Sequence, residues 1–142
     1  MTVRNLLGAA ALLAGGCYAG TLGNGFVFDD RAILDTGSKP SPGLPHLILS
    51  PYWSGEGRAN RLYRPLTQVT FALDERWSGG RSWAFHLVNA LLHALGCALL
   101  YALVKRLFIS QSLAFAAAAL FAVHPVLAEA VAGIVGRAEI LS

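Results

Sequence analysis

Charge is scarce in this sequence: Asp, Glu, Lys and Arg make up 13% of its 142 residues, against about 25% in an ordinary soluble domain. The net charge is +3, but the basic residues stand singly or in one pair. No block of five or more occurs, which excludes nucleic acid as a partner. Cysteine is almost absent as well. Cys17 and Cys97 both lie within apolar stretches, away from an oxidising solvent, and are read as packing residues with no disulfide framework. Proline is sparse and clustered: three of the six, Pro40, Pro42 and Pro45, crowd into "DTGSKPSPGLPH", which excludes a helix interior or a central strand there.

What the chain has instead is apolar length. Hydrophobic residues account for 55% of it, and a helix needs roughly 20 apolar residues to cross a hydrocarbon core. Leu6–Leu22 and Phe85–Val104 meet that need, and Leu107–Val123 is read as a third span with Ser110, Gln111 and Ser112 at headgroup level. The expected fold is an all-α integral membrane protein of about three transmembrane helices. Its segments are a signal-anchor-like first helix (1–22), a long outer loop (23–84), two further spans (85–104 and 107–124), and the start of a second outer loop and next helix (125–142). A cleaved secretory signal ending near Cys17 to Ala19 is the alternative reading of the first segment. Arg4 and the pair Lys105–Arg106, placed in the short turn, put that side of the membrane in the cytoplasm.

The long loop turns aromatic after its prolines, with Tyr52, Trp53, Tyr63, Trp77 and Trp83 of the kind found at membrane interfaces. From Arg64 to Trp77 the apolar positions Leu66, Val69, Leu73 and Trp77 recur at intervals of three and four, with Pro65 suited to a first helical turn. An amphipathic helix along the membrane surface is predicted.

Polar residues inside apolar segments need a reason. His86, Asn89, His93 and Cys97 share one face of the second span and should meet protein or a water-filled cavity rather than lipid. Two readings stay open: interhelical hydrogen bonding in a bundle, and a stripe beside a substrate groove. The two histidines are about 10 Å apart along the axis, too far for one ion, so no metal site is assigned. His124, Glu129, Arg137 and Glu139 follow the third span among small residues that let backbones approach closely. Asp29 and Asp30 close the first apolar run at the same outer side. Adjacent side chains diverge, so at most one reaches a substrate; the other orients it or pairs with Arg31. An Asp capping a short interfacial helix near "RAIL" is the plainer alternative.

Three segments, "FVFDDRAIL", "YRPLTQVTFALD" running into "FHLVNALLHAL", and "LFAVHPVLAEAVAGIVGRAEILS", resemble in order and spacing the amino-terminal region of the transmembrane and tetratricopeptide repeat O-mannosyltransferases and their bacterial relatives. The resemblance implies the front part of a type C glycosyltransferase bundle that moves a hexose, mannose by preference, from a polyprenyl or dolichyl phosphate to Ser or Thr hydroxyls. Asp29 or Asp30 then occupies the place of the catalytic base. Arg64 and Arg137, with His124 and Glu129, become candidates for the donor phosphate or substrate. Implied partners are membrane lipid, the lipid-linked sugar and an acceptor protein, with a divalent metal left open. Further spans and helical repeats are expected past Ser142, making this chain a fragment. A bacterial cytoplasmic membrane is favoured, or the endoplasmic reticulum membrane in a eukaryote. The competing class is a catalytically inert membrane anchor or assembly module.

Overall fold

Three apolar helices pack through alanines. The computed structural model describes residues 3–27, 30–31, 48–49, 52 and 63–142, and among these every regular element is helical. α1 spans Val3–Cys17 and leads into a 3-10 turn at Ala19–Gly23; α2 spans Pro65–Ser78, α3 Ser82–Phe108 and α4 Gln111–Val123. A second 3-10 turn, Pro125–Leu127, precedes the short helices α5 (Ala128–Ala132) and α6 (Arg137–Ile140).

The packing pairs fix the topology. Ala10 clusters with Tyr101, Ala114 and Ala118, Ala14 with Cys97 and Ala122, and Tyr18 with Ala90 and Val131. Residue numbers rise along α1 while they fall along α3, so these two helices are antiparallel and α4 runs alongside α1. Methyl groups at these contacts let the backbones approach closely, which is how helices associate where lipid removes the hydrophobic drive. On the far side of α3, Leu91, Leu95, Leu99, Leu103 and Leu107 form an exposed stripe at four-residue spacing, the pattern of a lipid-facing surface.

Asn5–Gly23 and Ser82–Phe108 are each long and apolar enough to cross a membrane. The third span differs from the expected one. α3 continues through Lys105 and Arg106, which form its last turn. Ile109 ends the helix in a left-handed conformation, its N–H bonding Lys105 O, and the Ser110 hydroxyl then caps α4 by accepting from Leu113 N. The tight turn is therefore Ile109–Ser110. α4 has 13 residues, about 20 Å of helix, short of a hydrocarbon core of about 30 Å. A third crossing exists only if Gln111–Val123 and Pro125–Ala132, bent by 48°, act together.

The predicted amphipathic helix is α2. Pro65 stands at its first turn, and Gly79, with φ of +66°, ends it in the left-handed region where glycine carries no steric penalty. Leu66, Leu73 and Trp77 face outward. A second face, about 100° around the helix, holds Thr67, Phe71 and Asp74, all buried.

Candidate active site

The amino-terminal end of α3 carries a hub that joins parts of the chain far apart in sequence. Tyr52, Phe71, Phe85, Ile134 and Ala138 form its apolar portion, with Phe26 against it. Phe85 meets Phe26 edge to face at 5.7 Å and packs at a tilt on Phe71 at 5.9 Å.

Arg137 occupies the middle and has no exposed surface. Its Nη1 pairs with Asp74 Oδ2 at 2.6 Å, its Nε donates to Asn89 Oδ1 at 2.7 Å, and its Nη2 donates to Phe85 O at 2.9 Å. The guanidinium also lies over the Phe71 ring, 4.6 Å from its centre. Burial pulls the Arg137 pKa below its ordinary value, and the Asp74 carboxylate opposes that pull. Trp77 Nε1 donates to the other oxygen of Asp74. The amide of Asn89 donates to Gly133 O at 2.9 Å and to Ile134 O at 3.3 Å, so one side chain holds both the guanidinium and the turn that delivers it. That turn needs glycine: a Cβ on Gly136 would lie 2.6 Å from the Ala130 carbonyl carbon.

Asp30 is buried in the same hub. Its Oδ1 accepts from Val135 N and its Oδ2 from Val27 N, both at 3.1 Å. The carboxylate thus ties the segment after the first span to the turn before α6. Arg31 donates to Phe26 O. Asp29 lies outside the described residues, as do Trp53 and the Pro-rich stretch.

Arg64 sits at the edge of the hub. It pairs with Glu139 at 2.9 Å, with both side chains partly in solvent, and lies over the Tyr52 ring at 5.7 Å. Burial pushes the Tyr52 phenol up to about 12, with Arg64 and then Arg137 pulling the other way; its hydroxyl donates to Val135 O. His124 is exposed, and its Nδ1 accepts from Val126 N, capping the second 3-10 turn. Glu129 is exposed in the first turn of α5. Arg64 and Arg137, grouped from sequence as phosphate ligands, therefore part company: one keeps solvent contact and the other is enclosed.

The polar stripe of α3 points into protein. Asn89 serves the hub, while His93 lies beside Ala122 O at 3.2 Å and meets Tyr18 edge to face. His86 is buried, and neither ring nitrogen meets hydrogen-bond geometry with a described group. Among the described residues no three His, Cys, Asp or Glu side chains converge where an ion could be held. Asp74 is the hub residue that sequence reasoning passed over; its three- and four-residue offsets from Phe71 and Ser78 on an amphipathic helix were the available signal.

No protein-family model matches the chain, and no solved structure matches it. Curated proteins do. Protein O-mannosyl-transferase TMTC1 of Homo sapiens is 41% identical over 145 residues, covering 95% of this chain and 16% of that protein. Protein O-mannosyl-transferase TMTC3 of Mus musculus is 44% identical over 131 residues, 89% of this chain and 14% of that protein. Protein O-mannosyl-transferase Tmtc2 of Drosophila melanogaster is 40% identical over 129 residues, 87% of this chain and 14% of that protein. The chain thus spans about one sixth or less of the length of these relatives.

Proposed function

The chain belongs to the TMTC-type protein O-mannosyltransferase family, and on that premise we propose that it supplies the acidic motif and part of the donor-phosphate site of an enzyme that transfers mannose to protein hydroxyls. Asp29 is the base and Asp30 its anchor. The observation that carries this division is the occupancy of Asp30: both its oxygens accept backbone N–H groups inside the hub, which leaves its neighbour in sequence as the candidate base.

The donor is a mannose linked to a polyprenyl or dolichyl phosphate, and the acceptor a Ser or Thr hydroxyl. Asp29 takes the hydroxyl proton as the acceptor oxygen bonds the anomeric carbon. The bond from that carbon to the phosphate oxygen breaks, its electron pair leaves with the lipid phosphate, and the anomeric centre inverts. Negative charge on the leaving phosphate calls for a cation with solvent access. Arg64 meets that description, and its Glu139 partner at a partly exposed site is exchangeable for phosphate. His124 and Glu129, both exposed beyond α4, flank the acceptor side. Arg137 braces the hub from within.

The site faces away from the cytoplasm, since Lys105 and Arg106 lie at the other end of α3. In a eukaryotic cell that face is the lumen of the endoplasmic reticulum. The matched relatives are animal proteins and lend no support to the bacterial membrane favoured from sequence.

The test is mannose transfer from a dolichyl-phosphate donor to an acceptor peptide by the full-length protein. Asp29→Asn lowers kcat by about a hundredfold or more, the scale of a lost general base. Arg64→Ala lowers kcat/KM by roughly tenfold to a hundredfold, the value of one charge-assisted contact. Undiminished transfer by Asp29→Asn overturns the assignment.

A further inference from the structure

A groove opens between α1 and α3 at the end of the bundle opposite the hub. It has a volume of about 320 Å³ and is lined by Leu7, Tyr101, Ala102, Lys105 and Arg106. Lys105 is sixteen residues from Asn89, about 24 Å along the helix axis, so the groove shares nothing with the candidate active site.

Its chemistry is divided. Leu7 and Ala102 are apolar, while Lys105 and Arg106 bring two cations to one rim. Tyr101 also lines the groove but is 1% exposed, with its hydroxyl enclosed by protein. The two cations also stand in the last turn of α3, where the helix end favours positive side chains but leaves their outward N–H groups free. An occupant that suits both parts has an anionic, multiply accepting head and an apolar tail.

We propose that the groove is a binding site for one anionic diacyl phospholipid of the surrounding leaflet. Its phosphate accepts from Lys105 and Arg106, and an acyl chain lies along Leu7 and Ala102. The basic residues that orient the protein place this groove in the cytoplasmic leaflet, where anionic lipids concentrate and basic pockets between helices hold their headgroups. Charge complementarity selects the head, and the position of the apolar wall next to the exposed leucine stripe of α3 admits the tail from the bilayer.

The experiment is native mass spectrometry of the full-length protein released from nanodiscs of phosphatidylcholine containing a minor fraction of phosphatidylglycerol. One phosphatidylglycerol is retained in preference to phosphatidylcholine. Arg106→Gln alone weakens that retention about fivefold, the usual contribution of one cation near an anionic surface. Lys105→Gln combined with Arg106→Gln weakens it about thirtyfold, given the usual contribution of each cation near an anionic surface. Arg76→Gln, at the far end of the protein, changes nothing. Equal retention of the two phospholipids, or retention unchanged in both groove variants, overturns the proposal. Displacement of the phosphatidylglycerol by equimolar polyprenyl phosphate overturns it too, because the groove would then be a donor-lipid site.

Discussion

At Asp30 the decisive observation is that a carboxylate can be conspicuous in sequence and still be fully engaged by backbone. Asp30→Asn puts an amide where two N–H groups converge, so one contact turns repulsive. The expected loss is about 1–3 kcal/mol of stability, the cost of a buried group left unsatisfied, read as a lower melting temperature in detergent. Asp29→Asn should leave that temperature unchanged and remove transfer. The sequence singled out the pair as a candidate but could not show how Asp30 is engaged, because one of its contacts comes from Val135, 105 positions away. Tyr52 carries a second residue-level expectation. Its phenol ionises near 12 rather than at about 10, so the folded-state value is raised. Stability drawn from the neutral phenol is complete below about pH 10 and is lost as pH climbs towards 12. A phenolate absorbance titration of the protein minus that of Tyr52→Phe should show one group with a midpoint near 12; a midpoint at 10 would contradict the burial.

For the helices, periodicity located α2 correctly but could not say what each face meets. Periodicity placed Leu66, Leu73 and Trp77 on one face, predicted to lie along the membrane surface, without showing that Thr67, Phe71 and Asp74 meet protein. Asp74, flanked by Glu75 and Arg76 and passed over in the sequence, is the partner that neutralises Arg137. Asp74→Ala leaves a buried guanidinium without its counter-charge, which typically costs about 3–5 kcal/mol. The double variant Asp74→Leu with Arg137→Met should recover part of that loss, since an apolar pair of similar volume removes both desolvation costs. Thermal unfolding of the four combinations gives the coupling directly, and simple additivity would mean the pair is not a unit. The turn between α5 and α6 is equally exacting. Gly136→Ala brings a methyl into the Ala130 backbone, which cannot move aside as a side chain tip would, and is expected to cost roughly 1–3 kcal/mol.

Taken as a whole, the molecule has two ends with different chemistry, and the third crossing determines whether α5 and α6 belong to the outer one. Composition alone made the apolar length of Leu107–Val123 legible, but not the point where the chain turns: Lys105 and Arg106 looked like turn residues and are helical, because Ile109 rather than either of them takes the left-handed conformation. The result is that α4 is short and must be continued by a second, bent segment. Packing argues that the pair does cross. Ala114 and Ala118 lie level with Tyr101 near the Lys105 end, Ala122 lies level with Cys97, and Val131 lies level with Ala90 near the hub, so the chain advances steadily along α3 in spite of the 48° bend. A re-entrant loop would bring Glu129 back to the level of Ser110. Single cysteines at Ser110 and Glu129, in a Cys17→Ser background that removes the exposed native thiol, distinguish the two. A membrane-impermeant maleimide should label the Glu129→Cys protein only from the hub side and the Ser110→Cys protein only from the opposite side. Labelling of both from one side would make the bent pair re-entrant and detach the α6 arginine from the outer face on which the proposed transfer depends.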